Sequence, residues 1–176
     1  MVQQEIIFAG FGGQGILSMG KFLAHAGMDE NLNVSWLPSY GSEMRGGTAN
    51  CSVIISDKRI GSPIIDYATS LIVMNGPSLD KFENSVVSGG VLILNSEMIE
   101  RDVDRTDIEV IKIPAQSIAT EIGTDAIANM VLLGALVKKT GIVSLNTLLQ
   151  ALKDNGKEKF YEMNKKAIEK GAEYIK

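Results

Sequence analysis

The feature that most limits the fold is the passage from Ile6-Ile7-Phe8-Ala9 into Gly10-Phe11-Gly12-Gly13-Gln14-Gly15. An apolar run, a glycine-rich turn, and then Ile16, Met19, Leu23 and Ala26 at helical spacing predict a strand, a turn and a helix in sequence. Gly20, Ala24 and Gly27 add small residues that let such a helix lie close to a sheet. A strand that feeds a helix through so short a turn commits the chain to an α/β arrangement.

The same alternation continues downstream. Val34-Ser35-Trp36-Leu37 reads as a second strand stopped by Pro38, Ala49 to Ser56 as a third, and Ser70 to Asn75 as a strand covered on both faces. A helix from about Pro77 to Val86 leads through Gly89-Gly90 to a strand at Val91 to Asn95, and Glu109 to Ile113 forms another before Pro114. The rest is helical: Ala115 to Ile122; a buried helix capped by Thr124 or Asp125 and running to Lys139; one capped by Ser144 and ending near Asp154. In the charged terminal helix, Phe160, Asn164, Ala167, Ile168, Gly171 and Ile175 mark the inner stripe. The expected architecture is a single domain over residues 1–176, a three-layer, mostly parallel, doubly wound (Rossmann-like) sheet with a helical C-terminal part.

Composition removes several function classes. A net charge of −4 and few aromatics argue against nucleic acid as a partner. The apolar run Ala126 to Val137, interrupted by Asn129, is too short for a membrane span, which needs roughly 18 to 20 residues. Cys51 is the only cysteine and His25 the only histidine, so no metal site, iron–sulfur ligation or Ser–His–Asp machinery is expected. Met1 to Glu5 has no charged-then-apolar leader, and with so little cysteine the expected location is the cytoplasm.

Two segments carry candidate chemistry. Gly10, Gly12 and Gly15 fit a phosphate-approach turn, and Gly10, Gly12, Gly13, Gln14 and Gly15 are the candidate cofactor-binding residues. A tight strand–helix junction would need the same glycines, so both readings stand. A dinucleotide would also need a carboxylate ending the second strand, where the chain has Leu37-Pro38-Ser39-Tyr40; a stand-alone nucleotide- or NAD(P)-binding protein is therefore the weaker alternative. The second segment, Tyr40 to Thr48, sets Glu43 and Arg45 between glycines, in a loop shaped for a ligand or a neighbouring subunit.

Taken together, GFGGQG at Gly10 to Gly15 and YGSEMRGGTANC at Tyr40 to Cys51 resemble the gamma subunit of 2-oxoacid:ferredoxin oxidoreductases. Gly61-Ser62-Pro63 and Asn75-Gly76-Pro77 extend the likeness along nearly the whole chain. Ser42 departs from it, since related sequences usually carry proline there. The resemblance implies a component of an oxidoreductase complex, inactive alone, that converts a 2-oxoacid, coenzyme A and oxidised ferredoxin into acyl-CoA, CO2 and reduced ferredoxin. It implies thiamine diphosphate, Mg²⁺ and iron–sulfur clusters on alpha, beta and ferredoxin-like delta subunits. It further implies coenzyme A handling on this chain. Tyr40, Glu43, Met44, Arg45, Gly46, Gly47, Thr48 and Asn50 would form an interface or active-site-entrance loop, and the isolated chain would pair into a homodimer through surfaces meant for partners.

Overall fold

The computed structural model describes residues 1–40 and 48–176. Among these, the strands are β1 (Gln3–Phe11), β2 (Asn33–Tyr40), β3 (Thr48–Ser56), β4 (Ala68–Val73), β5 (Val86–Asn95) and β6 (Glu109–Ile113). The helices are α1 (Ile16–Asp29), α2 (Gly76–Phe82), α3 (Ala115–Ile122), α4 (Ala128–Thr140), α5 (Leu145–Asn155) and α6 (Tyr161–Glu173). The strands form one sheet in the order β2-β3-β1-β4-β5-β6. β1, β4, β5 and β6 run parallel, while β3 pairs antiparallel with both β1 and β2.

Strand boundaries depart from the sequence reading in several places: β4 lies two residues early, at Ala68–Val73 where Ser70 to Asn75 was expected, because Asn75 caps α2, and three further strands run longer than expected. β2 runs through Pro38 to Tyr40, because β2 is an edge strand and an edge position does not need every N–H in a ladder. β5 begins at Val86, five residues early. The diglycine read as a connector lies inside it, at a register irregularity that takes β4 from Ala68 opposite Val86 to Ser70 opposite Val91. β1 extends to Phe11 because it has β3 to pair with along its whole length. The helix starts agree better. Thr124 caps a 3₁₀ turn ahead of α4 by accepting from Ala126 N–H, and Ser144 caps α5 by accepting from Thr147 N–H.

The two faces of the sheet are covered unequally. Ile6, Phe8, Val53, Ile55, Ile72 and Ile93 pack beneath α1, α3, α4, α5 and α6. On the opposite face, Ile7, Ala9, Leu71, Val73, Leu92 and Leu94 meet Leu79 of α2, together with Ile99 and Val103 from the segment between β5 and β6. α4 is buried nearly all round, as its unbroken apolar sequence requires. It touches α6 backbone to backbone: a Cβ on Gly134 would run into the Ile168 carbonyl, and one on Gly171 into the Val131 carbonyl. Phe160, expected on the inner stripe of the last helix, instead precedes it in a 3₁₀ turn and stays 41% exposed. Among the described residues no helix is long and apolar enough to cross a membrane.

Candidate functional site

The glycine turn caps the carboxyl end of β1 and is braced from within. Gln14 N–H donates to the Phe11 carbonyl at 3.2 Å, and Phe11 N–H donates to Gln14 Oε1 at 2.7 Å. The Gln14 side-chain oxygen, expected among ligand-binding groups, is therefore taken by the turn itself. Gly13 (φ 90°) and Gly15 (φ 73°) hold left-handed conformations that a side chain would strain. The glycines then divide by role. A Cβ on Gly10 would meet Gln14 Oε1 at 2.6 Å, and one on Gly15 would overlap Asn129, so packing demands both. Gly13 has open space where its Cβ would be, leaving its backbone open to approach.

α1 starts directly after this turn, with Gly15 at its N-cap and no side chain capping it. The cap residue thus supplies no side-chain acceptor to the first-turn amides, which carry the positive end of the helix dipole. Asn129, 5% exposed, fixes the turn from the opposite side by donating from Nδ2 to the Gly15 carbonyl at 3.1 Å. This residue is the polar interruption in the apolar run Ala126 to Val137, and that interruption was the visible signal for it.

Beside the turn lies a cavity of about 490 Å³ between α1, the start of α4 and the junction of α5 with α6. Gly13, Gly15 and Ser18 form its upper rim; Lys21 and Lys157 supply two ammonium groups; Phe22, Met130 and Met163 give it apolar walls. Thr124, Asn129 and Asn164 add polar atoms. Such a wall composition suits an elongated ligand with an anionic group at one end and an apolar or amide-bearing stem. Lys21, Lys157 and Asn164 were not read as site residues, because they come together only in three dimensions, from α1, the connector after α5, and α6.

The second sequence motif converges on the same end of the sheet. Thr48 pairs with Phe11, and Asn50 with Ala9, so both stand one strand away from the glycine turn. Tyr40 ends β2 opposite Ala49, across β3 from β1. Glu43, Met44, Arg45, Gly46 and Gly47 lie outside the described residues. Because β3 separates β2 from β1, the end of β2, where a dinucleotide would need its carboxylate, is not the neighbour of the glycine turn. Cys51 is fully buried against α1, and burial pushes its thiol up to about 12, so it stays protonated.

A second concavity of about 340 Å³ opens between the ends of β1 and β4, lined by Phe11, Asn75, Gly76, Pro77, Asp80, Met98, Glu100 and Arg101. Arg101 is held on three sides: Nε donates to Asp80 at 2.7 Å, Nη2 to Glu83 at 2.6 Å, and Nη1 to the Asp102 carbonyl at 2.8 Å. Glu83 also accepts from Asp104 N–H at 2.7 Å. Burial raises the Glu83 carboxyl, but the hydrogen bonds from Arg101 and the Asp104 amide outweigh it and hold the group below the usual carboxylate range.

Residues 5–174 match the pyruvate ferredoxin/flavodoxin oxidoreductase family. The ketoisovalerate oxidoreductase subunit VorA of Methanothermobacter thermautotrophicus is 41% identical across 98% of this chain, and the chain spans only 36% of that protein's length. The keto/oxoacid ferredoxin oxidoreductase gamma subunit of Geobacter sulfurreducens is 31% identical, with a TM-score of 0.86 over 97% of both chains. The 2-oxoglutarate:ferredoxin oxidoreductase of Magnetococcus marinus, solved with 2-oxoglutarate, coenzyme A and succinyl-CoA bound, is 27% identical with a TM-score of 0.89; all of this chain matches 32% of that one.

Proposed function

The chain belongs to the pyruvate ferredoxin/flavodoxin oxidoreductase family, and on that premise we propose that it is the gamma subunit of a thiamine-diphosphate-dependent 2-oxoacid:ferredoxin oxidoreductase. The observation that carries this reading is the end-to-end likeness to a gamma subunit that is itself a separate chain. In the longer relatives the same unit is about a third of the protein, which supports its working against a neighbouring domain. Here that neighbour is supplied by alpha, beta and ferredoxin-like delta subunits in the cytoplasm, and the motif around Tyr40, Thr48 and Asn50 faces them.

The chemistry is divided accordingly. Thiamine diphosphate and Mg²⁺ on partner subunits decarboxylate the 2-oxoacid, and iron–sulfur clusters there pass the electrons to ferredoxin. The buried, protonated thiol of Cys51 is no cluster ligand. This chain contributes coenzyme A handling. The uncapped start of α1 and the open backbone at Gly13 receive a phosphate group, Lys21 and Lys157 balance its charge, and the apolar walls take the stem.

Mild affinity purification from the native host, assayed for 2-oxoacid- and coenzyme A-dependent viologen reduction, tests the proposal. Co-purifying thiamine-binding partners and activity support it; a chain that elutes alone from cells holding a complete enzyme without it refutes it. A branched-chain 2-oxoacid is the first substrate to try, given the ketoisovalerate relative. In the purified complex, Lys21→Ala with Lys157→Ala should raise KM for coenzyme A about fivefold with kcat unchanged.

A further inference from the structure

We propose that the cavity between the ends of β1 and β4 is a binding site for a nucleoside, the sugar and base without phosphate. The sheet order reverses here: from β1 the chain builds outward to β3 and β2 on one side, and to β4, β5 and β6 on the other. In open α/β sheets the crevice at the carboxyl ends of the strands flanking such a reversal is where ligands bind. The cavity of about 340 Å³ occupies that crevice and is large enough for a small ring system with its sugar.

A buried donor without an acceptor points to an occupant. Asn75 is 2% exposed, and its Oδ1 accepts from Ser78 N–H at 2.8 Å, which fixes the orientation of the amide. The other half of that amide, Nδ2, has no hydrogen-bond partner, and Asn75 is part of the cavity wall. An amide NH2 left unsatisfied out of water is costly, so the site is completed by an acceptor brought from outside.

The remaining walls narrow what that acceptor belongs to. Arg101 has every kind of its guanidinium nitrogen engaged by Asp80, Glu83 or the Asp102 carbonyl, and no other cation lines the cavity among the described residues. Asp80 and Glu100 leave the rim negative, which repels phosphate and welcomes hydroxyl or amino donors. Phe11, Pro77 and Met98 present apolar surface to a flat ring. A nucleoside meets all three demands: a base nitrogen or carbonyl accepts from Asn75, the base lies on the apolar wall, and the ribose diol donates to a rim carboxylate. Carboxylates on the β4–β5 side thus take the ribose-holding part that the end of β2 lacks.

The proposal does not rest on the coenzyme A reading, since the probe carries neither phosphate nor thiol. The purified full-length chain is titrated with adenosine, guanosine and uridine, followed by amide NMR. Saturable shifts centred on Gly76, Ser78 and Arg101 are expected for at least one nucleoside, with the 2′-deoxy form binding more weakly. Asn75→Asp keeps the oxygen that caps α2 and removes the donor; it should weaken binding about tenfold while the unfolding midpoint holds. If that variant is unstable, Met98→Trp, which fills the cavity from an exposed rim position, should abolish binding instead. No saturable shift with any nucleoside, or unchanged affinity in the folded variants, overturns the proposal and leaves ordered water as the partner of Asn75.

Discussion

The two faces of the sheet are closed by different physics. On the α4–α6 face the helices approach until backbone meets backbone at Gly134 and Gly171, with Val131, Leu132, Ala167 and Ile168 buried around them. On the α2 face one short helix and the segment between β5 and β6 add an ion network to the apolar contacts of Leu79, Ile99 and Val103: Glu83 gathers Arg101 and the amides of Asp104 and Arg105, and Arg105 pairs with Asp107 at 2.6 Å. Close packing depends on shape and is indifferent to pH; a hydrogen-bonded ion network is strong only while its carboxylates stay ionised. The lesson is that one sheet can join a closely packed side to one whose hold depends in part on pH.

That contrast can be broken from the closely packed side first. Gly171→Ala places a methyl group inside the Val131 carbonyl, and equilibrium denaturation should show a loss of about 4 kcal/mol, among the largest single-site effects. Glu83→Gln should cost less, about 2 kcal/mol, because Arg101 is a third exposed and keeps Asp80. Hydrogen exchange in this variant should quicken at residues 96–108 and leave α4 and α6 unchanged.

Acid sharpens the same comparison without a substitution. The Glu83 carboxyl titrates below its ordinary 4.5, and Asp107, bound by Arg105, is lowered from 3.8 to about 2. Groups depressed on folding contribute stability above their ordinary values and lose it as pH falls through the folded ones. Amide protection factors, corrected for the intrinsic exchange rate at each pH, should therefore fall on the α2 face as pH drops from 4.5 toward 2, while those at the α4–α6 contact hold. Two smaller effects calibrate the scale. Ser144→Ala removes the α5 cap and should cost about 1 kcal/mol by thermal unfolding. Lys170→Ala, which breaks an exposed pair with Glu173 at 3.5 Å, should shift stability by under about 0.5 kcal/mol.

How far the sequence alone revealed this depends on whether a feature is local. The strand–turn–helix at Gly10 to Gly15 and the caps at Thr124 and Ser144 are contained within a few residues, and each was readable. The order of the strands was not. Nothing in Val34 to Ser56 announces that β3 turns back to lie between β2 and β1, so the end of β2 falls two strands away from the glycine turn rather than beside it. The Arg101 network joins residues up to 22 apart in sequence, and Asp80 offered no partner in one dimension. Likewise Lys21 and Lys157 share a cavity only because α5 and α6 fold back over α1.

The bond from Asn129 to the Gly15 carbonyl has a consequence in time. It joins residues 114 positions apart, so during synthesis the turn is made long before its brace. Until α4 has emerged and docked, Gly15 lacks that partner and the adjoining cavity lacks a wall. Distant closures of this kind come late in folding. The glycine turn is therefore held in its final form only once α4 has docked, however early its own residues are made.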